Sequence, residues 1–187
     1  MTTPAGRVGA FFLAPPILEA AAAAYAVAVV GWGLQAPVFA AWAALLVALA
    51  RIDVATHKVP NKIIGPALVA LFPAMALASA GDVTDGSALR ALLGGVLAFV
   101  IYLVVHLGAP GSFGAGDVKA SPVVTAPLAF MGWTPWWVGL VSGFILMAVV
   151  SAVLLATKRI GRTDRLPFVP FLALGAFGAL LLGGPPS

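Results

Sequence analysis

Cysteine is absent from this 187-residue chain, and histidine occurs only twice, as His57 and His106. The first absence excludes disulfides, a thiol nucleophile and any thiolate site for zinc or an iron–sulfur cluster. The second leaves too few imidazoles for a histidine-rich metal centre, so no metal and no cofactor is expected. Charge is also scarce. Ten basic and six acidic residues make up 9% of the chain, against about 25% in an ordinary soluble domain. So few charged side chains cannot cover the surface of a soluble protein, which counts against a soluble enzyme and a disordered chain. The net charge of +4 invites a nucleic-acid reading. Basic residues scattered among apolar segments, however, anchor loops and do not track phosphates, so no nucleic-acid partner is expected.

What is abundant is apolar surface, at 62% of residues. The composition is that of a polytopic membrane protein whose first partner is the lipid bilayer. The first apolar stretch contains Glu19 and runs directly into further apolar segments, so it reads as a span and not as a cleaved signal. Neither an internal repeat nor a soluble domain is visible, and residues 1–187 read as a single membrane-embedded domain. With about 20 apolar residues needed per span, seven segments qualify: 11–33, 36–53, 62–80, 88–108, 118–133, 135–157 and 166–184. The fold class is therefore an all-α membrane helical bundle. The fifth segment is short, reaching about 24 Å against a hydrocarbon core of about 30 Å. It also contains Pro122 and Pro127, so it is expected to be broken, tilted or sheltered by its neighbours. If it is re-entrant, the span count falls to six.

Charge falls between these segments with a clear parity. Arg7, Arg51, Lys58, Lys62, Lys119, Lys158, Arg159, Arg162 and Arg165 belong to one set of loops and flanks. Arg90, beside Asp82 and Asp85, stands alone in the other. By the positive-inside rule the N-terminus is cytoplasmic and the C-terminus extracytoplasmic, in a plasma or inner membrane. The basic loop from Lys158 to Arg165 suits anionic headgroups and is read as a topological anchor.

Two aspartates fall at the cytoplasmic ends of spans. Asp53 closes the apolar run 40–50 and opens Asp53-Val-Ala-Thr-His-Lys-Val59-Pro60-Asn61. Pro60 cannot continue a helix and biases Val59 toward extended backbone. The spacing predicts a helix end, a short turn and a new helix, with Asn61 as its N-cap. On position alone Asp53 could equally be an interfacial charge paired with Arg51 or Lys58. Asp117 lies in Gly108-Ala-Pro-Gly-Ser-Phe-Gly-Ala-Gly-Asp117-Val-Lys119. Gly111, Gly114 and Gly116 there permit positive φ and close backbone approach. Asp117 could serve simply as an N-cap, with Lys119 as its counter-ion. Taken together the two aspartates suggest more. Two carboxylates close together in a poorly hydrated site share a proton. The ionised partner can then take a proton from an attacking water while the protonated one hydrogen-bonds a peptide carbonyl.

These elements, with Val59-Pro60-Asn61 six residues after Asp53 and Gly114-Ala115-Gly116-Asp117-Val118-Lys119 further on, resemble the type IV prepilin peptidase family of membrane aspartic proteases. A third stretch, Leu166-Pro-Phe-Val-Pro-Phe-Leu-Ala-Leu-Gly175, resembles the segment that opens the family's last span. The resemblance implies Asp53 and Asp117 as the catalytic pair, with Gly114, Gly116, Lys119, Pro60 and Asn61 in support. It implies a prepilin or pseudopilin as substrate, cut after the basic leader at the cytoplasmic end of an apolar helix. Members that also methylate the product carry an N-terminal module with paired cysteine motifs. This chain resembles the short, peptidase-only members linked to Flp/Tad-type pili or to archaeal prepilin and preflagellin processing, and no methyl transfer is expected of it.

The other polar and aromatic residues read structurally. Glu19 suits the first turn of the first helix. His57 reads as a solvated loop residue and His106 as an interfacial one. Trp133, Trp136 and Trp137 form an aromatic belt at the outer interface. Gly94 and Gly95 make a helix-packing surface, and Pro167 and Pro170 shape the last helix. A rival from another class remains: a small transporter or channel component using Asp53, Asp117 and Glu19 as an ion or proton relay.

Overall fold

The structure, a computed structural model, describes residues 16–80, 87–108, 114–161 and 166–183. Seven helices and no strand occur among them: α1 (Ile17–Val30), α2 (Gln35–Thr56), α3 (Asn61–Ser79), α4 (Ala88–Gly108), α5 (Ala115–Met131), α6 (Trp133–Ala156) and α7 (Val169–Gly183). They follow the seven expected segments in order. Four of them, α2, α3, α4 and α6, are long and apolar enough to cross a membrane, while α1 and α7 are shorter apolar helices. Arg7, Asp82, Asp85, Gly111, Arg162 and Arg165 lie outside the described residues.

Helix ends follow local chemistry. At the end of α1, Gly31 takes φ 82°, a left-handed conformation that glycine accepts without a Cβ clash, and its N–H reaches Val27 O at 2.9 Å. At the end of α2, His57 takes the left-handed position at φ 52° and its N–H reaches Asp53 O at 2.7 Å. Thr56 Oγ1 donates to Ile52 O at 2.8 Å, closing the last turn. The chain then runs extended through Pro60 (φ −74°, ψ 123°), which itself occupies the N-cap position of α3. The expected Asn61 cap is therefore displaced by one residue. Asn61 is the first helical residue, because the fixed φ and extended ψ of Pro60 already turn its carbonyl onto Ile63 and Ile64.

The fifth helix is the axis of the bundle. From Ala120 to Phe130 every residue of α5 is buried. The helix is continuous through Pro122 and Pro127 and is not broken. A proline withdraws the N–H that would bond the carbonyl four residues earlier. Both released carbonyls find other donors. Ser121 Oγ donates to Val118 O at 2.9 Å, replacing Pro122. Trp42 Nε1 on α2 donates to Val123 O at 3.0 Å, replacing Pro127. In a bilayer this compensation is what permits two prolines in an embedded helix. At the far end, the Arg90 guanidinium donates to Ala129 O and Phe130 O, and Ser87 N–H to Phe130 O. Arg90 thus caps the last turn of α5, where cationic donors suit the helix dipole.

Small residues let the neighbours approach closely. A Cβ on Gly94 would lie 2.3 Å from the Ala129 Cβ, and one on Gly143 would lie 3.0 Å from Leu172 Cα. These positions join α4 to α5 and α6 to α7, as small residues do between membrane helices. Trp136 departs from the expected belt. It is fully buried, and its Nε1 donates to Gly94 O at 3.1 Å, whereas Trp133 and Trp137 remain exposed. The ring fills the space that Gly94 leaves on α4, so it belongs to the core.

Candidate functional site

Three chain segments converge at one end of the bundle: the last turn of α2 with the Val59-Pro60-Asn61 link, the first turn of α5, and the entry to α7. Asp53 lies inside α2 and faces inward, only 4% exposed. Its Oδ2 accepts from Val169 N–H at 3.0 Å, and the Phe168 backbone faces the same carboxylate. The first N–H groups of α7 are unsatisfied within that helix, so its N-terminus is a natural seat for a carboxylate. Asp53 is therefore held by a backbone N–H at the entry to α7. Arg51 points to the other side of α2, where it pairs with Glu19 from the first turn of α1.

Asp117 is the third residue of α5, not its N-cap. The N-cap is Gly114, whose N–H donates to Asp117 Oδ2 at 3.2 Å, the reach-back bond of a capping box. The two glycines act by proximity and not by φ. Gly114 has φ −78°, open to any residue, but a Cβ there would sit 2.9 Å from Asp117 Oδ2. A Cβ on Gly116 would sit 3.2 Å from the Val59 Cβ and 3.4 Å from Val59 N. Gly114 therefore leaves room for the folded-back carboxylate, and Gly116 lets α5 start against the link that follows Asp53.

Lys119 is not the counter-ion of Asp117. Its Nζ donates to Asn61 Oδ1 at 3.3 Å, tying the start of α5 to the start of α3. Pro60 and Asn61 are thereby brought beside the first turn of α5. Beneath the aspartates, Leu49, Ile64, Ala120, Val123 and Val169 form a small apolar cluster with Val59 packed against it. The charge of Asp53 acts on Asp117, so the two carboxylates lie within electrostatic reach of one another. His106 on α4 acts on Asp117, and the exposed His57 on Asp53. His57 is the exposed residue that ends α2, and His106 is half-buried in the last turn of α4. Among the described residues, no three of His, Cys, Asp and Glu gather as a metal-binding group. A groove of about 300 Å³ beside Lys119 is lined by Asn61, Ile64, Gly65, Leu68, Phe99 and Pro122.

One contributor escapes sequence reading. Val169 acts through its backbone, which no residue type announces.

A multi-helix membrane protein with two inward-facing carboxylates from distant segments is the class that this fold and site define. The family model for the type IV leader peptidase family matches residues 38–157, and the chain belongs to that family of peptidases. Over 174 residues the chain is 27% identical to the prepilin leader peptidase/N-methyltransferase of Bacillus subtilis (strain 168), covering 92% of this chain and 67% of that protein. No solved structure shows a significant match to the chain.

Proposed function

We propose that this peptidase cleaves the basic leader of a type IV prepilin or prepilin-like protein at the cytoplasmic membrane face, with Asp53 and Asp117 as the pair that activates water. One observation carries the reading. Asp53 is buried against the α7 N-terminus, and its charge acts on an Asp117 that a folded-back turn holds at the start of α5.

In the proposed reaction the pair carries one proton. The ionised carboxylate takes a proton from water as its oxygen attacks the scissile carbonyl, and the protonated carboxyl hydrogen-bonds the carbonyl oxygen. The tetrahedral intermediate collapses as a proton passes to the leaving amine and the C–N bond breaks. Gly114, Gly116, Pro60, Asn61 and Lys119 hold the two segments together. The orientation rests on the positive-inside bias: N-terminus and site toward the cytoplasm, C-terminus outside, with the loop beginning Lys158-Arg159 at the headgroups.

The test is cleavage of a co-expressed candidate prepilin, read by mass spectrometry of its N-terminus. The wild-type chain should release the leader, and Asp53→Asn and Asp117→Asn should insert normally and release none. Full cleavage by either purified variant refutes the pair. Loss of ion flux in these variants, with no peptide cleaved by the wild type, would favour the relay reading.

A further inference from the structure

The groove of about 300 Å³ lies where α3, α4 and α5 meet. Ile64, Gly65 and Leu68 of α3, Phe99 of α4 and Pro122 of α5 line its length, and none of them has a polar side chain. Asn61 and Lys119 stand together at one end, which is the start of both α3 and α5. The groove opens outward. Gly65 is exposed, a Cβ on it would meet no described atom within 4 Å, and Phe99 is 38% exposed. Both α3 and α4 are long and apolar enough to cross a membrane. The groove therefore faces lipid, with Lys119 at the level of the headgroups.

Size decides between occupants. From Asn61 to Leu68 a helix rises about 10 Å, which gives the groove a mean cross-section of about 30 Å². A helix with its side chains is about 10–12 Å across and covers about 80–110 Å². A hydrocarbon chain, about 4 Å across at carbon contact distance, covers about 13 Å². The groove thus has the bore of one or two acyl chains and is too narrow for the body of a helix.

Charge decides the headgroup. The Lys119 ammonium has three donors, and one goes to the neutral Asn61 Oδ1 at 3.3 Å. No carboxylate among the described residues lies within ion-pair distance of it. A cation at the mouth of an apolar groove between membrane helices suits an anionic headgroup.

We propose that this groove binds one anionic phospholipid. Its acyl chain lies along Ile64, Gly65 and Leu68 against Phe99 and Pro122, and its phosphate sits on Lys119. The lipid fills the seam between α3 and α4 beside the start of α5. The inference rests on the helices and not on the cleavage reaction, so it stands or falls apart from the peptidase reading.

Native mass spectrometry of the full chain in detergent tests it, with phosphatidylglycerol or phosphatidylcholine of identical acyl chains as the probe. The wild type should retain one phosphatidylglycerol about fivefold more tightly than phosphatidylcholine, the gain expected of one cation near a headgroup. Lys119→Gln keeps an N–H donor for Asn61 and removes the charge, so the preference should vanish while phosphatidylcholine is held as before. Leu68→Trp narrows the groove and should weaken both lipids about tenfold. Equal retention of the two lipids by the wild type, or an undiminished preference in Lys119→Gln, overturns the proposal. A cross-link checks the place without relying on either variant. Phe99→p-benzoylphenylalanine is irradiated in vesicles of equal parts of the two lipids, with a candidate prepilin reconstituted alongside. It should label phosphatidylglycerol about threefold over phosphatidylcholine. The same substitution at the exposed Val149 of α6 should label the two equally. No enrichment at Phe99, or labelling of the prepilin in place of lipid, overturns the proposal.

Discussion

Two consecutive helices, α5 and α6, divide the work of this bundle in opposite ways. α6 is the more apolar by far, and only 17% of its most apolar window is buried. α5 carries Asp117, Lys119, Ser121, Thr125 and two prolines, and it is buried from Ala120 to Phe130. In water the apolar helix would be the core. In a bilayer the solvent is itself apolar, so hydropathy reports contact with lipid and not burial within the protein. A helix with prolines and polar groups needs protein around it, because lipid offers its released carbonyls no donor. That requirement places α5 at the centre and brings its first turn against α2 and α7.

The largest expected effect separates the chemistry of α5 from the lipid face of α6. Asp117→Asn should lower cleavage by about 10³-fold or more. Conservative apolar changes at exposed α6 positions such as Val149 and Val153 should leave the rate per inserted molecule unchanged. Leader release by quantified, inserted protein measures both.

The next effect concerns the backbone repair of α5. Trp42→Phe deprives Val123 O of its donor opposite Pro127. An unsatisfied buried acceptor costs about 1–3 kcal/mol, to be read as a lowered unfolding midpoint in detergent. Restoring the α5 N–H with Pro127→Ala should recover part of that loss, since the helix then bonds Val123 O itself.

Packing gives a paired measurement. Val124→Leu adds a methylene at a site with no exposure and should cost about 1–3 kcal/mol. Val149→Leu, where the residue is 55% exposed, should stay within about 0.5 kcal/mol. Equal costs would show that α6 is also covered, by a partner or a second copy.

The smallest effect is geometric. Gly116→Ala puts a Cβ against Val59 and separates the start of α5 from the link after Asp53 by a few tenths of an ångström. Leader release should slow about tenfold, with stability little changed. If stability falls and the rate per folded molecule holds, the close approach serves the fold and not the site.

Much of this was legible from residue order alone. Membrane embedding, the helical class and the sequence of seven segments follow from apolar run length, because a helix is the form that satisfies a backbone within lipid. Asp53, Asp117 and their flanking Pro60, Asn61, Gly114 and Gly116 stood out through their resemblance to a family's motifs, in which proline fixes φ and glycine permits close backbone approach. The tertiary structure decided what those residues touch. It turned Asp53 inward to a backbone N–H of α7, gave Arg51 to Glu19 and Lys119 to Asn61, and moved Trp136 from the interface into the core. Periodicity tells which side chains share a helix face. Which helix that face meets, and in what register, depends on small residues meeting across distant segments, and no local pattern contains that information.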